Sequence, residues 1–497
     1  MEKARLTEAK GCRVIVIGAG VAGLSAASLL QDAAAWEKER KRLRKASVDV
    51  KDVEVIVLEA RGRIGGRVWT EHFQDDAKTS VDMGAAWLHG NGKSNPLVKI
   101  AQDCKARLYP TDWDNGVYFE AAGSAEKAQP AGQLSNAEMR RLEKLATNLW
   151  RLYEKHRKDR KKLQSATDES LQAALTSLQS KGLLGFGQFP GFDALSERDR
   201  ALLETAVAEQ TDHDYAATWA ELSSTWWDAD EDADGDHCLW KDGFVQVPSH
   251  LASGVRVELN AEVSKISYAP GMSAGDSAVT VECSDGRRYE ADHCICTLPL
   301  GVLQHEHSAI FYPPLPEVKA EAIRRLGMGC MEKLAMRFET CFWDAKAQLI
   351  YRAPTCKARM APTACESPFW VNLKPVVGSN VLVAYFCTDA GRETCKLTAE
   401  QLQDVTLDML KSMYGSEAVN KGRLLEAKRS NWSTDKWSYG CYSFLALGST
   451  PQDRGSLAEP CGNLHFAGEA TDPTYPATVH GALLSGRRAA MEIIASL

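Results

Sequence analysis

The 497-residue chain lacks the features that would settle its class at once. It contains no apolar run of the ~18 residues that a membrane helix needs, so no membrane partner is expected. It has no basic excess. Lys and Arg number 59 against 66 Asp and Glu, a net charge of −7, which argues against a nucleic-acid binder and weakly favours cationic small molecules. It has no C-x-x-C pair, although it carries 14 cysteines. The nearest grouping, His293-Cys294-Ile295-Cys296, lies on an apolar strand pattern and reads as core rather than as metal ligands. Scattered thiols of this kind point to a reduced, intracellular protein. The cytoplasm is the expected compartment, with the peroxisome and the nucleus left open. Residues 14–30 are uncharged and follow basic residues, as in a signal peptide, but the glycine pattern at 18–23 accounts for the run better. The final Ala495-Ser496-Leu497 misses the basic position of a peroxisomal S-K-L.

What is present begins at residue 13, with RVIVIGAGVAGLSAASLL. A β-branched run breaks at Gly18. Gly18, Gly20 and Gly23 set a G-x-G-x-x-G, and small residues then continue at helical spacing. Strand, tight turn and helix in this order cradle a pyrophosphate. The first glycine makes the turn, the second admits the phosphate, and the third packs helix on strand. A second apolar strand, Val53–Leu58, ends in Glu59, where a ribose hydroxyl is held. The spacing exceeds the usual ~20 residues because a charged block at 36–51 lengthens the crossover. Glu59 then opens EARGRIGGRVWT, in which Arg61, Arg63 and Arg67 surround Gly65 and Gly66. Guanidinium groups so placed suit a pyrophosphate.

This G-x-G-x-x-G…E-x-R-x-R-x-G-G-R pattern resembles the flavin-containing amine oxidases, and the resemblance runs from about residue 11 to 490. It implies an α/β fold: a Rossmann-like FAD-binding domain built from discontinuous segments, 11–110, 241–320 and 426–497, plus an α+β substrate domain from 111–240 and 321–425. D-M-G-A-x-W-L-H-G resembles the loop of polyamine oxidases and makes Trp87 and His89 candidate substrate-channel residues. The stretch W-D-x-D-E-D…G-F-x-x-V-P resembles both polyamine oxidases and lysine demethylases. By that likeness Val263 lies near the adenine. Its acids, Asp228 and Asp230 among them, form either a solvated loop or a carboxylate cluster that attracts a polycation. Asp230-x-Asp232-x-Asp234-Gly235 starts like a calcium loop, but Lys241 stands where its final Glu belongs.

A lysine in mid-strand, Lys333, faces solvent on spacing alone. By resemblance to the family's G-x-x-x-K stretch, it holds a water at flavin N5. Residues 288–303 read as an apolar strand and a Pro-Gly turn. Leu142, Leu145, Leu149 and Leu152 form the apolar stripe of a helix whose other face is charged. The closing motifs contain Trp432, then Cys441-Tyr442, then F-A-G-E-A-T with Gly468 and Glu469. A helix beginning near Val479 would aim its N–H groups at the flavin. Thr478 and Tyr442 fall at the two positions of the monoamine oxidase aromatic cage, so half of that cage is present. Cys441 falls where those enzymes attach flavin covalently, and non-covalent FAD is the expectation here.

The resemblance therefore implies FAD-dependent oxidation of spermine, spermidine or their acetylated forms at a secondary amine. Hydride passes to flavin N5, giving an aldehyde, a shorter amine and hydrogen peroxide, with O2 as co-substrate. Lys333, Tyr442 and His89 are the expected catalytic residues. A lysine-specific demethylase is the first alternative. It is opposed by the Trp-Leu-His-Gly loop, by a helical region too short for a tower, and by the expectation that no helical domain precedes the flavin motif. A silent flavin-fold binding protein is the second. For an L-amino acid oxidase, no arginine clamp for a carboxylate is assignable. Exo versus endo cleavage and oligomeric state stay open.

Overall fold

The run Cys12–Ile17 is β-branched without alternation because both of its faces are covered. In the computed structural model, Val14 and Val16 enter one hydrophobic core while Ile15 and Ile17 enter another. Burying each such side chain contributes about 1.5–3 kcal/mol. The described residues are 11–32, 34, 53–120, 132–162, 168–180, 196, 198–199, 203, 207, 211–269, 279–353 and 368–497. The charged block at 36–51 lies outside them.

Cys12–Ile17 sits at the centre of a five-stranded parallel sheet. The order is Leu464–Phe466, His293–Cys296, Cys12–Ile17, Val53–Leu58 and Val257–Glu258. Strands distant in sequence thus form one Rossmann-like layer, in agreement with the discontinuous α/β expectation. The His-Cys-Ile-Cys segment is a central strand, buried throughout. One expectation is corrected. After Leu298 the chain makes no Pro-Gly turn but enters the helix Leu300–Ile310 directly, with Pro299 before its first residue. Gly301 serves close packing there, since a Cβ would lie 2.4 Å from the Tyr439 carbonyl oxygen.

The helix Val21–Leu30 packs on the C-terminal helix Val479–Ser496, and this contact closes the chain's two ends over the sheet. Gly486 permits it, and Gly23 lets the first of these helices seat on its own strand. A Cβ on Gly486 would stand 2.0 Å from the Ala22 carbonyl oxygen, and one on Gly23 would stand 2.0 Å from that of Gly18. Ser25 Oγ donates to the Leu483 carbonyl at 3.0 Å across the same contact.

The second layer is a six-stranded sheet in the order Leu424–Arg429, Met331–Phe338, Val381–Cys387, Phe369–Asn372, Leu349–Ala353 and Gly116–Glu120. Its pairings are antiparallel except for the last, which is parallel. One face carries Leu334, Met336 and Phe338 into a core; the other carries Ala335, Val383, Tyr385 and Phe369 toward the first sheet. Period-two alternation therefore turns Lys333 inward with Tyr385, its register partner. The solvent-facing reading of Lys333 is overturned, because Met331–Phe338 is a central strand with both faces covered.

A short sheet, Trp87–Leu88, Cys238–Trp240 and Leu108–Pro110, sets His89 beside His237. The charged helix Asn136–Lys162 buries Leu142, Leu145 and Leu149 as expected, with Tyr153 fully buried and Leu152 only half so.

Gly486→Val should lower stability by about 1–3 kcal/mol, because the clash is with backbone and neither helix can yield without parting. Urea unfolding would show this as a lower midpoint at unchanged slope; a wild-type midpoint contradicts it.

Candidate active site

One cavity of about 1620 Å³ runs between the two sheets. Of the residues singled out from sequence, Gly18, Gly20, Glu59, Arg61, Gly66, Arg67, Val263, Trp432, Gly468, Glu469, Thr478 and Val479 line it at the parallel-sheet end. Trp87, His89, Asp228, Asp230, Lys333, Cys441 and Tyr442 also line it. Gly23 does not, since it faces the Gly18 carbonyl.

The parallel-sheet end fits a dinucleotide. A Cβ built on Gly20 or Gly468 would meet nothing within 4 Å, so both glycines border open space. The two glycine loops run side by side, with Gly65 N–H donating to the Ala19 carbonyl at 2.8 Å. Glu59 is buried between them and accepts the N–H groups of Ala19 at 2.7 Å and Arg61 at 2.8 Å. Burial raises its pKa. Arg61 pairs with Asp435 at 2.6 Å and lies over the rings of Trp432 and Trp437. Thr478 caps the C-terminal helix by accepting the Gly481 N–H at 2.9 Å. Other N–H groups of the first turn remain free of helix partners.

Glu469 ties this end together. Its Oε1 accepts Arg67 Nη1 at 2.9 Å; its Oε2 accepts the Ser443 hydroxyl at 2.6 Å and the Ala477 N–H at 2.9 Å. Arg67 also donates to the Cys441 carbonyl at 2.9 Å, and buried Arg454 donates to Ser443 Oγ at 2.6 Å. Burial alone would raise the Glu469 pKa, but Arg67, Ser443 and Arg454 outweigh it and hold the carboxyl below its usual range.

At the other end, Lys333 Nζ donates to the carbonyls of Asp82 at 2.9 Å and Gly84 at 2.5 Å, and stands 4.5 Å from the Tyr385 ring centre. Burial lowers its pKa, with Asp82 opposing. The rings of Tyr385 and Phe369 stack at 4.7 Å, and His213 lies 4.4 Å from Phe369. Tyr442 donates its hydroxyl to the His213 carbonyl at 3.1 Å. His89 and His237 share a hydrogen bond between their Nδ1 atoms at 2.9 Å. Burial, then His237, pushes the His89 pKa down to about 3, so this imidazole offers no positive charge.

The acidic stretch divides. Asp228 is paired with Arg157 and Asp234 with Ser94. Asp230 accepts the Tyr215 hydroxyl at 3.1 Å and lines the cavity with Asp232 and Asp214. Burial, then Asp230 and Asp232, raises the Asp214 pKa to about 7. Sequence reasoning missed Asp214, His213, Tyr385 and Phe369. Asp214 sits in a one-turn helix, Asp212–Tyr215, too short to show a period. The aromatic residues read as ordinary strand core.

Glu469→Gln should cost on the order of 3 kcal/mol, because Arg67 loses its charged partner and buried Arg454 a nearby countercharge. Unfolding monitored by tryptophan fluorescence reads this directly; a loss under about 1 kcal/mol contradicts the network's role.

The sequence profile described as flavin containing amine oxidoreductase matches residues 21–494. Polyamine oxidase 4 of Oryza sativa subsp. japonica is 32% identical across 96% of this chain and 88% of its own length. Lysine-specific histone demethylase 1 homolog 3 of Arabidopsis thaliana is 31% identical across 97% of this chain, which spans 30% of that longer protein. A solved structure of a putrescine oxidase with redesigned cofactor binding matches with a TM-score of 0.66 at 20% identity, covering 98% of this chain and 99% of that one; this likeness speaks to the fold. With the glycine cradle, the Glu469 network and a profile match over nearly its whole length, the chain belongs to the flavin containing amine oxidoreductase family.

Proposed function

We propose that the protein oxidises a secondary amine of a polyamine such as spermine or spermidine, free or acetylated, using FAD. The observation that carries the reading is the cavity wall. Asp214, Asp230 and Asp232 supply negative charge, the facing imidazole of His89 is neutral, and aromatic rings lie between them and Lys333. A polycation with apolar spacers suits such a wall, and the rice polyamine oxidase is a relative along most of its own length. In this reading, segments 11–110, 241–320 and 426–497 hold the cofactor, and 111–240 and 321–425 shape the substrate space.

When bound, the flavin supplies the two-electron acceptor that takes hydride from the carbon next to nitrogen. The chain's own residues do the rest. The carboxylates hold distal ammonium groups, while Tyr385, Phe369 and Tyr442 flank the methylenes. Burial around Lys333 disfavours charge and so favours the neutral form of the reacting amine. A neutral lysine has two N–H groups, and the carbonyls of Asp82 and Gly84 take both. Its lone pair is then left to accept a proton from water. Water adds to the oxidised C–N carbon, giving aldehyde and shorter amine, and O2 takes up the two electrons and two protons removed from the amine and leaves as hydrogen peroxide. Non-covalent FAD is supported by Cys441, whose thiol pKa burial pushes well up, since the thiolate is the form that would bond.

A second reading, oxidation of a methylated lysine, is supported by the demethylase-named relatives. It uses the same carboxylates for basic residues of a peptide.

Lys333→Met should keep the yellow flavin absorption while peroxide release with spermine falls on the order of a hundredfold; unchanged turnover contradicts the role. Asp214 gains its charge as pH rises through about 7, so the KM for spermine should fall between about pH 6 and pH 8. Asp214→Asn should flatten that dependence and leave kcat alone. A KM profile that keeps its wild-type slope rules Asp214 out.

A further inference from the structure

Trp113 is an exposed large apolar side chain, 45% accessible, and it also lines the cavity. Being both, it stands at the cavity mouth. One face of its indole stacks on Trp87, with ring centres 5.7 Å apart and planes at 30°. His237, the imidazole bonded to His89, meets it edge-on at 5.9 Å. Trp87 is itself fixed, because its Nε1 donates to Thr111 Oγ1 at 2.9 Å. The stack is thus a rigid platform held by the Trp-Leu-His-Gly loop, with a face open to solvent.

The platform continues inward. Trp87 lies 5.8 Å from Tyr385, the ring that stands 4.5 Å from Lys333 Nζ. A path of ring contacts therefore joins the mouth to Lys333. Asp114, the next residue in the chain after Trp113, lines the same cavity and is exposed. An electron-rich indole face beside a carboxylate is the setting that attracts an alkylammonium group.

We propose that Trp113, stacked on Trp87 and flanked by Asp114, forms an outer subsite for the distal ammonium of a long polyamine, and so selects chain length at the cavity mouth. This rests on the polyamine reading above. The subsite acts on binding and touches no reacting atom. A cation on an exposed indole face gains about 0.5–1 kcal/mol, equivalent to about a twofold to fivefold change in affinity.

The test compares the flavin-loaded wild type with Trp113→Ala, Trp113→Phe and Asp114→Asn. Two substrates are used: spermine, and N-propylbutylamine, which has the secondary amine but no distal ammonium. Trp113→Ala should raise the spermine KM about twofold to fivefold at unchanged kcat. It should leave kcat/KM for the monoamine unchanged, and Trp113→Phe should restore most of the loss. Asp114→Asn should weaken spermine in the same direction. Equal losses on both substrates, or no loss on spermine, overturn the subsite. Equilibrium dialysis of spermine reads the same step without turnover. If the wild type oxidises neither amine, the polyamine reading falls. Dialysis then decides the subsite, which fails if Trp113→Ala binds spermine as the wild type does.

Discussion

A buried carboxylate with too many neighbours to move holds this structure in register. Glu469 accepts from Arg67 in the arginine loop, from Ser443 after the Cys441-Tyr442 pair, and from Ala477 just before the C-terminal helix. Arg454 reaches the same Ser443 hydroxyl from a further helix. Segments hundreds of residues apart are thereby fixed to one charged point. Burying a carboxylate costs several kcal/mol unless its lone pairs are filled, so the segments cannot part separately. The glycine contact at Gly486 does the same for the helices Val21–Leu30 and Val479–Ser496, through shape rather than charge.

That frame encloses a cavity in whose walls burial decides protonation. It lowers the pKa values of Lys333 and His89 and raises that of Asp214. The three shifts share one cause, burial. Lysine and imidazole lose positive charge and the carboxyl group titrates near neutrality, the combination that the proposed polyamine substrate would call for. Perturbed groups gathered in one cleft mark a functional site by their physics as well as by family likeness.

The glycine-loop end of the cavity was legible in the sequence because its requirements are local. Gly18, Gly20 and Glu59 are set by one strand-turn-helix and one strand end, and their spacing announces them. The Val479 helix was legible from the closing motif that resembles the family's, while its Thr478 cap was not. Lys333 was misread by spacing alone, since alternation reports which residues share a face but not whether that face is covered. Asp214 and Trp113 gave no signal at all. Each lies in a short segment without period, and each reaches the cavity only because strands far apart in the chain fold over it. The acidic stretch looked uniform in sequence, yet pairing with Arg157 and Ser94 separates Asp228 and Asp234 from Asp230 and Asp232.

The central claim is that this cavity delivers a polyamine carbon to a bound flavin. Anaerobic mixing of the flavin-loaded protein with spermine, beside a dimethyl-lysine histone peptide, tests it most directly. The account predicts that visible flavin absorption bleaches with spermine and returns on admission of oxygen, with hydrogen peroxide equal to the flavin reduced. Bleaching with the peptide alone, or with neither, would contradict it.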